Sequence, residues 1–135
     1  MELQHASEDF ERFLTDAADI SGLATRNQTY TMVQGVFQVF RRRLDLRDAI
    51  RFANVLPPIL RAIFVDDWDT DEPRLPFYDR RVMTQEAQAL RKDHNFSPGT
   101  CIRDVATALR RHIDEASFIR VLSSLPQEAS DFWRV

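Results

Sequence analysis

The amino-acid sequence predicts an all-α fold in which two tandem three-helix repeats, with six to eight helices in all, pack into one helical bundle. Apolar residues recur at helical spacing along nearly the whole chain, and no stretch shows the alternation of a strand. Residues 32–66 also match residues 101–135 at a constant offset of 69 without a gap. Each copy is too small to bury its own apolar face, so the two are expected to pack together.

The match between the two copies keeps most apolar residues opposite apolar ones, and it places Trp133 opposite Phe64, so both are expected in the core. A residue that packing requires should keep its character in both copies, whereas a binding site need occupy only one. The identical pairs are Val36/Val105, Arg41/Arg110, Arg42/Arg111, Asp45/Asp114, Ile50/Ile119, Arg51/Arg120, Leu56/Leu125 and Pro57/Pro126.

Length and composition predict a single domain over residues 1–135, with repeat one at 7–65, an acidic linker at 66–78 and repeat two at 79–135. A chain of this size buries about two-thirds of its unfolded surface, which is enough for a hydrophobic core. The linker, DDWDTDEPRLPFY, carries five acidic residues and two prolines, a composition typical of a solvent-exposed connection.

In repeat one, apolar stripes predict helices over about residues 8–20 and 29–43. Ser7 is the predicted N-cap of the first helix and Gly22 its stop. Asp45 is the predicted N-cap of a third helix, which two prolines break before a short helix follows. The residues expected to point inward from this third helix are Ala49, Ile50, Ala53 and Leu56.

In repeat two, a weaker first helix is predicted over about residues 79–94. Ser97, followed by a proline, predicts the start of the second helix, because proline has no N–H to lose in a first turn. Asp114 repeats the capping position of the first copy. Ser124 with Gln127 predicts a capping box that restarts the helix beside the second Leu-Pro pair.

The balance of charge limits the expected partners. Net charge is −3, with 17 arginines and one lysine, so no global positive field exists to attract nucleic acid or an anionic membrane. No apolar run reaches membrane length, and no basic segment precedes an apolar one at the N-terminus. The single cysteine suits a reducing compartment. We therefore expect a soluble cytoplasmic protein, and we expect neither a membrane nor nucleic acid as its partner.

Several short motifs recur in order along the chain. LPPILRAIF followed by Trp68 marks the first copy, and RRHID, LSSLP and a closing FW mark the second. With these motifs, residues 8–135 resemble the bacterial domain of unknown function 2267. The Leu-Pro pair in each copy and the tryptophan after the first are the most distinctive shared marks. The resemblance implies a duplicated all-α bundle and supplies no catalytic residue.

Two pairs of matched arginines are candidate binding residues, Arg42 with Arg111 and Arg51 with Arg120. Guanidinium groups suit a phosphate or an acidic partner. The alternative is structural, because cations near a helix C-terminus interact favourably with its dipole and free carbonyls. Trp68 occurs in one copy only, where it either pins the linker onto the bundle or anchors a partner.

Asp67, Asp69 and Asp71 have the alternating spacing that opens a calcium loop, but the glycine and the final glutamate of that loop are missing. A solvated linker is the preferred interpretation, with weak cation binding as the alternative. Cys101, opposite Met32, is interpreted as a small core residue, with a reactive thiol as the alternative. No carboxylate is expected on an apolar helix face, and no catalytic constellation is visible.

Together these features predict a non-enzymatic interaction or regulatory module that needs no cofactor and binds a protein partner or a second copy of itself. The alternative is a small-ligand or metal-ion binding protein that uses the cleft between the repeats or the acidic linker.

Overall fold

The computed structural model describes residues 2–135, with side chains from residue 3 onward, and within that range the chain forms eight α-helices and no β-strand. The helices are α1 (Ala6–Ser21), α2 (Arg26–Arg41), α3 (Leu46–Ala53), α4 (Pro58–Val65), α5 (Arg80–Ala89), α6 (Cys101–His112), α7 (Glu115–Ser123) and α8 (Gln127–Phe132). The prediction of an all-α fold is confirmed. Among these helices, none is long and apolar enough to cross a membrane.

The helix ends of the first half follow local sequence signals, with one correction. Gly22 ends α1 with a left-handed φ of 75°, as predicted. Ser7 is not an N-cap, because a 3-10 turn runs directly into α1 and the helix already begins at Ala6. Helix α2 begins earlier than predicted, because Thr25 and Gln28 form a capping box that satisfies its first amides.

The predicted caps of the two short matched helices are confirmed. Asp45 Oδ1 accepts the N–H of Asp48 at 2.8 Å at the start of α3, and Asp114 Oδ2 accepts the N–H of Ser117 at 3.2 Å at the start of α7. A new helix also begins after each Leu-Pro pair. Aspartate caps and prolines act locally, so they can be read without knowledge of the fold.

Two other predicted helix starts are wrong, and α5 ends sooner than the predicted residue 94. Helix α6 begins after Thr100, because Pro98 O accepts the first amide of α6 and closes a turn, while Ser97 is buried. Ser124 Oγ donates back to Val121 O at 2.7 Å, so this side chain closes α7 and does not cap α8.

Helices α1 and α5 each pack mainly against a helix of the other half of the chain, and we call these two the exchanged helices. Helix α1 lies mainly against α6, helix α5 lies against α2, and α3 packs on α7. Helix α2 occupies the centre, where it also contacts α1, α4 and α6. Trp133 and Phe64 are fully buried, as predicted.

Helix α3 turns Ala49, Phe52 and Ala53 inward, and Leu56 beyond its end is buried too. The expectation that Ile50 points inward is wrong, because this side chain is 50% exposed. Phe52 takes the inward direction, and at about 100° per residue Ile50, two positions earlier, lies nearly on the opposite side of the helix from Phe52. The matched Ile119 on α7 is 48% exposed as well.

Gly35 allows the close approach of α5 to α2, and its replacement by alanine is expected to destabilise the protein. A Cβ there would lie 2.7 Å from the carbonyl oxygen of Ala87, which is backbone and cannot rotate away. The clash should cost about 1–3 kcal/mol and outweigh the better helix propensity of alanine. Thermal unfolding measures the effect, with Gly99→Ala as the matched control because that Cβ would meet no atom of the described residues within 4 Å. A higher melting temperature for Gly35→Ala would contradict a tight α2–α5 contact.

Candidate functional site

The matched arginines Arg41 and Arg110 make the same long-range bond in both halves. Arg41 Nη1 donates to Phe64 O at 2.9 Å, and Arg110 Nη2 donates to Trp133 O at 2.9 Å. The acceptors are themselves at matched positions. Each arginine therefore ties the end of α2 or α6 to the end of α4 or α8, which gives it a structural role.

The candidate residues Arg42 and Arg111 pair with acids on the exchanged helices. Arg42 Nη1 donates to Glu86 Oε1 of α5 at 3.0 Å, and its Nε donates to Glu72 of the linker at 3.1 Å. Arg111 Nη1 donates to Asp16 Oδ1 of α1 at 3.0 Å. The structure does not bring the two arginines to a shared group, since each is engaged by its own acid.

Arg51 and Arg120 lie on α3 and α7, which pack against each other. Both side chains are exposed, and each contacts a polar group of its own helix: Arg51 is 4.0 Å from Asp48, and Arg120 donates to Ser117 Oγ at 3.2 Å. Of the four candidate arginines, this pair is the one that remains available to a partner.

Trp68 lies half-buried against the core, with the guanidinium of Arg41 5.2 Å from the centroid of its ring. The three aspartates beside it are exposed, and Asp69 Oδ1 accepts the N–H of Asp71 at 2.9 Å, which forms a local turn. Asp67 has a left-handed φ of 52°. Over the described range, no group of three or more His, Cys, Asp or Glu side chains is arranged to hold a metal ion.

Two titratable groups are buried at the start of α6. Cys101 is fully buried, and burial raises the pKa of its thiol to about 11, so the thiolate nucleophile is suppressed. Asp104 is 3% exposed and accepts the hydroxyl of Thr100 at 2.7 Å. Burial raises the pKa of Asp104. The expectation that no carboxylate lies on an apolar helix face is therefore wrong, and the position of Asp104 within the stripe of Ile102 and Val105 was the available signal.

The structure also contains a buried ion pair, between Arg43 and Glu86, that the sequence did not predict. The side chain of Arg43 is 0% exposed, and its Nη2 donates to Glu86 Oε2 at 2.7 Å. The same guanidinium donates to the carbonyls of Val39 and Pro76. Burial alone would raise the pKa of Glu86, but hydrogen bonds from Arg43 and Arg42 outweigh it and hold the pKa below its ordinary value.

His112 forms a second link between α6 and the exchanged helix α1, in addition to that of Arg111. Its Nε2 lies 3.0 Å from Asp16 Oδ2, and its ring packs edge-on against Phe13. Asp16 thus receives both the histidine and Arg111 from α6. Most of the charged residues at these helix ends hold helices together, and the exposed exceptions lie on α3 and α7.

The fold and these contacts define a small all-helical protein in which arginine–carboxylate bonds join helices of the two halves, while arginine–carbonyl bonds join helices within each half. The chain belongs to the family described as "Uncharacterized conserved protein (DUF2267)", whose model matches residues 10–132. This confirms the family that its Leu-Pro and tryptophan motifs resemble. No curated protein matches the chain.

Proposed function

We propose that this protein is a non-enzymatic interaction module that binds an acidic protein partner through the exposed side of α3 and α7. The observation that carries the proposal is the pair Ile50 and Ile119, identical at matched positions and about half exposed in both. Packing does not account for an isoleucine whose surface is half in water. Large apolar side chains displayed among polar ones are typical of contact surfaces.

The charges on the same two helices favour an acidic partner. Their exposed charged residues are Arg47, Arg51 and Arg120, with Glu115 as the single exposed acid within α3 and α7. A second copy of the chain would bring like charges together at this surface, which costs affinity, whereas acidic side chains would complement it. A protein partner is therefore preferred over self-association.

The proposal includes two tandem copies of one unit, each with three helical segments of which the third is broken at Leu-Pro. Support comes from the helix starts, because Leu46 and Glu115 begin α3 and α7 while Pro58 and Gln127 begin α4 and α8, all at the offset of the self-match. The matched arginine-to-carbonyl bonds support it as well. We place the module in the cytoplasm, since its only cysteine is a buried free thiol.

The test compares partner capture by three forms of the protein. The variant Ile50→Ser with Ile119→Ser should lose a partner that the wild type captures from an extract of its source cells, with at least about tenfold weaker binding, because apolar anchors dominate interface energy. The control variant, Val65→Ser with Phe96→Ser, removes apolar residues that are 43% and 60% exposed elsewhere. It should capture the same partner as the wild type.

Quantitative mass spectrometry identifies what each form retains, and thermal unfolding shows that both variants stay folded, since exposed substitutions change stability by only about 0.5 kcal/mol. Equal capture by all three forms would place the contact elsewhere. If the wild type and the control variant self-associate in sedimentation experiments and the α3/α7 variant does not, the partner is a second copy of the chain.

A further inference from the structure

A cavity of about 340 Å³ lies where the end of α2, the start of α3 and the acidic linker meet. Arg41, Arg42 and Arg74 supply positive charge to its wall, and Leu46 and Trp68 supply apolar surface. This volume falls in the range of small-molecule sites. The site lies partly on the linker that follows the first half of the chain.

Arg41 is the unusual residue in this wall. It is 3% exposed, and its Nη1 donates to the carbonyls of Phe64 and Asp66. Its Nε is buried and finds no acceptor in the described part of the chain, where Arg41 also forms no ion pair within 4.0 Å. Burial and the charge of Arg42 lower the pKa of Arg41, although the more distant charges of Glu72, Asp67 and Asp66 oppose this shift. Burying a guanidinium without a directly paired carboxylate costs free energy, and a bound anion would reduce that cost.

The second half of the chain shows what is missing. There the matched Arg110 makes the same carbonyl bond and in addition lies 3.6 Å from the carboxylate of Glu115. Glu115 is the first residue of α7, and the matched first residue of α3 is Leu46. The first half therefore has a leucine where the second has the carboxylate, and the cavity lies beside that leucine.

We propose that this cavity binds a small organic acid, whose carboxylate pairs with Arg41 as Glu115 pairs with Arg110, and whose apolar body lies against Leu46 and Trp68. Among the residues that line the cavity, three arginines face only Asp45 and Glu72, so the wall itself carries a small positive excess, which Asp66 and Asp67 just outside the wall reduce.

The first test is a titration with hexanoate, followed by NMR of the two tryptophan indole N–H groups in ¹⁵N-labelled protein. Hexanoate should shift the Trp68 signal in a saturable manner, with a Kd on the order of 1 mM, while the fully buried Trp133 serves as the internal reference. Hexanol has the same apolar body without the charge and should bind at least about tenfold more weakly. Absence of a saturable Trp68 shift, or equal binding of hexanol, would overturn the proposal.

The second test places the residue of the second half into the first. Leu46→Glu should supply the carboxylate internally and abolish hexanoate binding, and because Leu46 is 53% exposed the variant should remain folded. Phe96→Glu, at a 60% exposed position between α5 and α6, adds the same charge away from the cavity and should leave hexanoate binding unchanged. Undiminished binding by Leu46→Glu would overturn the assignment. Inorganic phosphate binding as tightly as hexanoate would also overturn it, since the site would then be a general anion site.

Discussion

Replacing Glu86 by glutamine is expected to lower the free energy of unfolding by about 3–5 kcal/mol, because it leaves the buried guanidinium of Arg43 without a countercharge. The side chain of Arg43 is 0% exposed and that of Glu86 is 23% exposed, so water replaces little of the lost interaction. Arg42, which donates to the same carboxylate, loses this negative charge as well. Urea denaturation followed by circular dichroism measures the change.

Glu72→Gln is the matched control for this experiment. Glu72 also accepts from Arg42, but its side chain is 40% exposed, and an exposed pair contributes less than about 1 kcal/mol. A similar loss of stability in both variants would show that the effect of Glu86 arises from general charge and not from the burial of Arg43.

The pH dependence has a definite sign. Because the folded-state pKa of Glu86 lies below its ordinary value of 4.5, its carboxylate stabilises the fold fully above that value, and the contribution is lost as the pH falls through the folded pKa. Glutamine does not titrate. The difference in stability between wild type and Glu86→Gln should therefore shrink in acid and be largest near neutrality.

The sequence predicted features that depend on a few neighbouring residues. The aspartate caps at Asp45 and Asp114, the stop at Gly22 and the breaks at Leu-Pro act within one helical turn. Local reasoning failed where two signals competed, as at Ser124, whose hydroxyl is taken by the end of α7. It also failed for Ile50, because the orientation of α3 is set by the packing of Phe52 against the other helices and this packing is not visible in the local sequence.

Features that depend on the exchange of α1 and α5 between the halves could not be predicted. The sequence run Arg41 to Arg43 reads as one basic stretch, yet Arg41 bonds to carbonyls, Arg42 bridges to the linker and Arg43 is buried against Glu86. Residues 43 and 86 are distant along the chain, and no local pattern pairs them. The contrast between a leucine and a glutamate at the starts of α3 and α7 was visible in the self-match, but its meaning required the position of the cavity.

Trp133→Ala is the second substitution for which we expect a large loss, about 3–5 kcal/mol in the free energy of unfolding. Five phenylalanine rings lie with their centroids 5.0 to 6.2 Å from that of Trp133, contributed by α2, α3, α7 and α8. Removing the indole leaves a cavity, and the surrounding rings cannot move in to fill it because they are held on four different helices. Chemical denaturation measures the loss, with Trp68→Ala as the control, since Trp68 is only half-buried and should cost much less.

Trp133→Phe separates the shape of this side chain from its polarity. The indole Nε1 is buried and has no acceptor within the described residues, so the tryptophan carries an unsatisfied donor that costs about 1–3 kcal/mol. Phenylalanine removes that donor while it keeps most of the ring, and the matched position in the first half is already Phe64. The backbone bond from Arg110 to Trp133 O persists in either variant. We therefore expect Trp133→Phe to retain most of the stability that Trp133→Ala loses. A loss as large as that of the alanine variant would mean that the specific shape of the indole, and not only its apolar volume, is required to hold the two halves together.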